Sequence, residues 1–306
     1  MMPGLVTAKA QSSMQIAFHI GANCTDEDRL LKSVLKNADT FLQSKIAVPG
    51  PGRYRRLIRE TIQGLERNRP DADTRDALLD AIIDQDDVRR VLLSNDNFMC
   101  VPNRIFESGL FYAQAEPKVR GLHRLFPQDE ISLFMGIRNP VSFLQETQRR
   151  ADADTVSAYL GLLRPEDIRW SDVVRRIKTT APDTPLTVWC NEDTPLLWET
   201  LIRRFADVPP DTPIKGRMDM LSAILTPAGI AVLTQKLKTA PPQTEAARHD
   251  LIAAIWEDHA VADAVEDEID LPELHPDLVA RMTQLYDEDL DRIAAMEGVT
   301  LLLPFA

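Results

Sequence analysis

The stretch that decides the fold is residues 14–35, MQIAFHIGANCTDEDRLLKSVL. It predicts a short apolar strand over Met14–Ile20, a turn at Gly21 and an amphipathic helix from about Thr25. A strand that passes through a glycine turn into a helix directs backbone N–H groups at the space above the turn, which is a natural anion site. The first helical turn nevertheless carries three consecutive acidic residues, Asp26, Glu27 and Asp28. The backbone pattern favours a phosphate, while the charges oppose one.

Further along the chain, short apolar runs rich in β-branched and aromatic residues alternate with helical patterns. Near-continuous apolar strands between helices indicate a parallel sheet that is covered on both faces. Besides residues 15–20, the predicted strands are Val88–Leu93, Ile131–Ile137, Leu186–Cys190 and Ser44–Val48. The predicted fold class is α/β, with a mostly parallel sheet flanked by helices.

The strand signal almost disappears after the proline-rich stretch at residues 208–213. Helical patterns then occupy Leu225–Leu237, Glu245–Ala260 and Pro276–Glu297, and Val299–Leu303 is a candidate last strand. We therefore expect a flexible N-terminal segment (1–13), an α/β body (14–207) and a mainly helical C-terminal extension packed on that body (208–306).

Composition and charge exclude several classes of function. Residues 245–297 hold 16 acidic side chains against three arginines, a balance of −13 within a chain of net charge −12. This acidity argues against a nucleic-acid partner, and no apolar run approaches the ~20 residues that span a membrane. The three cysteines, Cys24, Cys100 and Cys190, form no CxxC pair, and the histidines lack metal-ligand spacing. We expect no metal and a reducing, cytoplasmic location.

Three segments together give the chain a family resemblance. They are HIGANCTD at 19–26, FMGIRNPV at 134–141 and a closing helical pattern at 278–297. In this order the chain resembles the sulfotransferase superfamily, in particular its divergent bacterial members, which transfer a sulfuryl group from 3′-phosphoadenosine 5′-phosphosulfate (PAPS). The resemblance implies a P-loop-like fold, PAPS as the cofactor and a small hydroxyl compound as the substrate.

The resemblance also implies which residues bind PAPS. The first segment would hold the 5′-phosphosulfate with the loop residues Gly21, Ala22, Asn23, Cys24 and Thr25. Arg138 would contact the 3′-phosphate, since a guanidinium at the end of a strand offers bidentate recognition of a phosphate. The family's accompanying serine lies about eight residues further on, where this chain has Glu146, so Ser142 is the nearer candidate. Arg138 could equally pair with a local carboxylate.

A second implied element is a catalytic base. The run LLSNDNF at 92–98 resembles a strand followed by Ser and by a Glu that deprotonates the acceptor hydroxyl. Asp96 would then be the base, provided that its surroundings raise its pKa. The alternative is that Ser-Asn-Asp-Asn forms a turn whose side chains bond their own backbone. His19 at the end of the first strand is either a core residue or a catalyst.

Several charged residues depart from the family pattern or lie outside it. Cys24 replaces the loop lysine, which neutralises charge on the leaving group, and Asp26 replaces a glycine. Thr25 and Asp28 could instead cap the helix as a capping-box-like pair. A basic cluster over residues 53–59 is either a solvated helix face or a site for an acidic substrate. Two functions follow: sulfuryl transfer from PAPS to a hydroxyl, or a catalytically inactive sulfotransferase-fold protein that binds a small molecule or a protein.

Overall fold

The predicted strands assemble into a single sheet. The computed structural model describes residues 13–65, 73–261 and 269–304, and within them six strands form one sheet in the order β2-β3-β1-β4-β5-β6. The strands are β1 Gln15–His19, β2 Ile46–Ala47, β3 Arg90–Ser94, β4 Glu130–Ile137, β5 Leu186–Cys190 and β6 Val299–Leu302. All five pairings are parallel. The α/β class is confirmed, and the sheet is wholly rather than mostly parallel.

Helices cover both faces of this sheet. In chain order they are α1 Arg29–Lys36, α2 Ala38–Gln43, α3 Pro51–Leu65, α4 Thr74–Ile82, α5 Ala115–Leu125, α6 Pro140–Ala151, α7 Val156–Leu160, α8 Trp170–Thr180, α9 Thr194–Ala206, α10 Asp219–Ile224, α11 Pro227–Thr239, α12 Glu245–His259 and α13 Pro276–Ala294. Ile16 and Phe18 of β1 pack with α3, α5, α6 and α8, whereas Ala17 faces α1, α2 and α9. The alternation of neighbouring β1 residues between two cores explains why Ile16, Ala17 and Phe18 are all apolar.

The strand order creates a crevice beside β1. The chain leaves β1 toward β2 on one side of the sheet, and it leaves β4 toward β5 on the other side. The loops after β1 and β4 therefore diverge at the carboxyl edge, the place where open α/β sheets bind ligands. This edge carries the residues of the first two motifs.

The first helix differs from its prediction. It begins at Arg29, not near Thr25, because Glu27 and Asp28 adopt left-handed backbone angles (φ 51° and 62°) that a right-handed helix excludes. It also ends early: Asn37 separates α1 from α2, and its side chain bonds to Ser33 O and Lys215 O. The helical segment after Gly21 is therefore divided into two short helices.

The C-terminal third joins the body at two places. Helices α10, α11 and α12 form a small apolar cluster with α9 through Leu196 and Leu233. Helix α13 packs its Met282 and Ile293 into the main core, and β6 completes the sheet beside β5. No helix of the described ranges is long and apolar enough to span a lipid bilayer. The predicted segment 1–13 lies, apart from its last residue, outside the described residues.

Candidate functional site

The loop after β1 lies between the loops that follow β3 and β4. Past the end of β1, the backbone of Ala22 still donates to Gly136 O at 2.7 Å, so the loop stays attached to β4. On its other side Gly21 approaches the loop after β3 so closely that a Cβ atom would lie 2.9 Å from Asp96 O. Gly21 also has φ +122°, a conformation that only glycine adopts readily. The loops after β1, β3 and β4 thus meet at the carboxyl edge of the sheet.

Asp26 occupies the centre of the predicted anion site. Its side chain is 5% exposed and turns back toward the start of α1. Asp26 Oδ2 accepts from the backbone N–H of Leu30 at 3.0 Å, and Oδ1 accepts from that of Asp28 at 3.2 Å. These N–H groups are among those that a bound phosphate would use at a helix N-terminus. The chain therefore supplies its own anion to the start of α1.

Thr25 does not cap α1 as the capping-box alternative predicted. Its hydroxyl donates to Ala22 O at 2.8 Å, within the loop itself. The capping role belongs to Asp26, because the helix begins four residues later than the sequence pattern indicated. The prediction had the correct kind of interaction and the wrong residue.

The remaining loop residues are buried and engaged. Asn23 N donates to Tyr112 Oη at 3.0 Å, and the Asn23 amide donates to Asn97 and to Cys100 O at 2.8 and 3.1 Å. Burial raises the pKa of the Cys24 thiol to about 12, so this side chain is neutral at pH 7. The position of the family's lysine thus provides no positive charge.

The two other acidic residues of the loop turn outward to arginines. Glu27 pairs with Arg150 of α6 at 3.1 Å. Asp28 pairs with Arg55 of α3 at 2.5 Å, and this hydrogen bond lowers the pKa of Asp28. Each of the three carboxylates thus has its own donors: Asp26 in the backbone of the loop and α1, Glu27 in Arg150 and Asp28 in Arg55.

Arg138 reaches the same loop from β4. Its Nη1 donates to Cys24 O at 3.1 Å, and its Nε donates to Ser142 Oγ at 3.0 Å. Trp170 Nε1 donates to Arg138 O at 2.7 Å and fixes the backbone there. The structure therefore brings Arg138, Ser142 and the β1 loop together as predicted, with the guanidinium bonded to the protein itself.

Asp96 lies on the other side of the loop. Its Oδ1 accepts from the side chain of Asn97 at 2.7 Å. Burial and, next, the carboxylate of Asp26 raise the pKa of Asp96. A raised pKa is what a general base at neutral pH needs, although the hydrogen bond to Asn97 is the local turn interaction of the alternative interpretation.

His19 is a core residue beside Asp96. Its Nδ1 lies 2.9 Å from Ser94 Oγ and 4.0 Å from Asp26 Oδ2, and its ring is fully buried. A Ser-His-Asp relay needs the hydroxyl and the carboxylate on opposite ring nitrogens. Here both lie near the same nitrogen, so the three residues do not form a nucleophilic triad.

The crevice between these loops is small and of mixed charge. Its volume is about 470 Å³, and its lining residues include Glu27, Arg29, Arg138, Glu192 and Trp256. Among the described residues no group of His, Cys, Asp and Glu side chains could hold a metal ion. We call this cavity the edge crevice.

Three residues outside the predicted site hold the loop in place. Tyr112 bonds Asn23 across the core, while Arg55 and Arg150 neutralise Asp28 and Glu27 from two separate helices. Arg55 belongs to the basic cluster at residues 53–59. Its ion pair with Asp28 depends on how helix α3 packs, which residue spacing in the sequence does not indicate.

No protein-family model matches the chain, and no curated protein or solved structure is significantly similar to it. The resemblance to sulfotransferases therefore depends only on the motif residues described above.

Proposed function

We propose that the protein is a divergent relative of the sulfotransferases that binds a small molecule and does not transfer a sulfuryl group. The observation that most supports this proposal is the buried Asp26 carboxylate, which accepts hydrogen bonds from the backbone N–H groups of Asp28 and Leu30. A phosphosulfate would have to displace this carboxylate, and no lysine would meet it at Cys24. We also propose a cytoplasmic location, since the three cysteines are unpaired and buried.

The cost of displacement supports this proposal. A phosphate placed near a carboxylate a few ångströms away is repelled by about 1–4 kcal/mol at a partly exposed site. Moving Asp26 away would in addition break two hydrogen bonds to a charged group, each worth about 1.5–3 kcal/mol. Together these costs cancel most of a micromolar affinity, which corresponds to about 8 kcal/mol.

A titration with the PAPS product nucleotide tests the proposal. By calorimetry we expect no binding to the wild-type protein or to Cys24→Lys, which adds the cation but leaves Asp26 in place. The double variant Cys24→Lys with Asp26→Gly should bind, because it restores both family features. Binding of the nucleotide by wild-type protein would contradict the proposal.

Sulfuryl transfer is the second candidate, and the surroundings of Asp96 favour it. This carboxylate has a raised pKa and lies beside the β1 loop, as a base for a hydroxyl acceptor should. Turnover of PAPS that is lost in Asp96→Asn, with the fold retained, would establish transfer in place of the binding role.

A further inference from the structure

A second cavity, larger than the edge crevice, lies beside the loop after β3. Its volume is about 670 Å³, within the roughly 300–1,000 Å³ that small-molecule sites occupy. Its lining comes from helix α3, from Asn95 and residues 97–101, which we call the floor, and from Arg104 and Lys118. We call it the cationic cleft.

Part of the lining of the cationic cleft is apolar. Ile58 and Ile62 of α3 line it together with Phe98 and Met99, and all four side chains are buried. Val101 lies at the surface and is 43% exposed. Because those four side chains leave little apolar surface uncovered, a ligand with an apolar body would cover mainly Val101 and the aliphatic parts of the cationic side chains, at about 25 cal/mol per Å².

Positive charge converges on this cavity from three parts of the chain. Arg55 and Arg59 come from α3, Arg104 from the turn after the floor and Lys118 from α5, and none of the described residues lining the cleft is acidic. In a chain of net charge −12, four cations around one cavity create a local potential that attracts anions.

Carboxylates outside the lining limit how much charge the ligand can carry. Arg55 pairs with Asp28, Arg104 pairs with Glu107 at 2.8 Å, and Arg59 lies 4.0 Å from Glu60. A highly charged nucleotide would need to displace several of these partners. A single oxyanion headgroup can share one guanidinium with its existing partner.

We propose that the cationic cleft binds an organic monoanion, a carboxylate or sulfonate headgroup joined to an apolar body. The headgroup lies toward Arg59, which is 59% exposed at the cleft, and the apolar body packs on Val101, beside Phe98. The side-chain amides of Asn95 and Gln63 provide further donors along the wall. This inference names a ligand for the proposed binding function, at a site separate from Asp26.

Matched fluorescent probes test the assignment. Anilinonaphthalene sulfonate is an aromatic monoanion, and phenylnaphthylamine is its neutral counterpart. The wild-type protein should bind the sulfonate at one site and release it when dodecanoate is added. Arg59→Gln should weaken sulfonate binding by about tenfold and leave the neutral probe unaffected.

The chain offers a matched control for that variant. Arg56 lies on the same helix, contacts the same Glu60 at 3.9 Å, and does not line the cleft. Arg56→Gln should therefore keep wild-type affinity for both probes. Equal losses in Arg56→Gln and Arg59→Gln would overturn the proposal, because the effect would then reflect general charge and not the cleft.

A second variant changes the charge at a different lining residue, Val101. Val101→Glu adds a carboxylate at an exposed position and should weaken the sulfonate by about tenfold through like-charge repulsion. Unchanged sulfonate affinity in both Val101→Glu and Arg59→Gln would overturn the assignment. Nucleotide binding by the wild-type protein at the edge crevice would contradict the proposed function but not the ligand assigned to the cationic cleft. The two sites are separate, so Asp26 variants should leave probe binding unchanged.

Discussion

Replacing Asp26 with alanine tests the central structural conclusion most directly. The substitution removes the acceptor of two backbone N–H groups, those of Asp28 and Leu30, in a site that is 5% exposed. A lost capping interaction costs about 1 kcal/mol, and hydrogen bonds to a charged acceptor are worth about 1.5–3 kcal/mol each. Because water can reach the vacated space in part, we expect a total loss of about 3 kcal/mol in the free energy of unfolding.

This loss should be measured by denaturant unfolding, with Glu27→Ala as the matched control. Glu27 is the adjacent carboxylate, but it is exposed and forms ion pairs with the exposed arginines Arg29 and Arg150. Exposed pairs of this kind contribute about 0–1 kcal/mol. A loss in Asp26→Ala no larger than that in Glu27→Ala would refute the assignment of Asp26 as the internal anion.

Sulfate provides an independent readout on the same variant. With Asp26 absent, the N–H groups of Asp28 and Leu30 form an empty anion site. Sulfate at about ten times its Kd should then restore about 1.4 kcal/mol. Wild-type protein and Glu27→Ala should gain only the general salt effect. If all three proteins gain equally, the amides of α1 are not the site that Asp26 fills.

Three further predictions follow from the ionisable groups around the loop. Asp96→Asn should raise the melting temperature at pH 7, because the raised pKa of Asp96 in the folded state means that its charged form destabilises the fold. The gain should vanish as the pH falls below about 3.9, where Asp96 is protonated in both the folded and the unfolded protein. Asp28→Asn should lose about 1 kcal/mol at pH 7; since the folded-state pKa of Asp28 is lowered, the gap should persist above about 3.9 and close as the pH falls through the folded pKa. The buried thiols of Cys24, Cys100 and Cys190, each with a pKa of about 12, should resist a thiol reagent at pH 7 and react only in denaturant, and rapid labelling of native protein would contradict their burial.

The fold was predictable because the central strands β1, β3 and β5 are almost wholly buried. Residues 186–190 were predicted with the bounds that β5 has. The strand predicted over residues 15–20 extends one residue beyond the end of β1. β2 is only Ile46–Ala47, too short for its pattern to define its ends. Parallel strands of this kind are apolar throughout, so a sequence read locally finds them without knowledge of their neighbours.

The site was predictable in its position but not in its bonding. The motifs place Gly21, Asp96 and Arg138 just after β1, β3 and β4, and the carboxyl ends of parallel strands lie at the same edge of a sheet. The partners of the loop were not predictable in the same way. Tyr112 and Arg55 reach it from 89 and 27 positions away, and such contacts depend on how helices pack.

The orientation of three neighbouring carboxylates explains why their charges alone did not predict how the anion site at the start of α1 is filled. On one helical turn Asp26, Glu27 and Asp28 would crowd the same anion site and repel each other. Left-handed backbone angles at Glu27 and Asp28 instead direct these residues to Arg150 and Arg55, and Asp26 alone turns inward. An inward carboxylate is attached to the loop it stabilises, so it loses little entropy on binding, whereas a free phosphate loses its translational freedom. The same backbone that resembles a phosphate loop therefore favours its own side chain over an external anion.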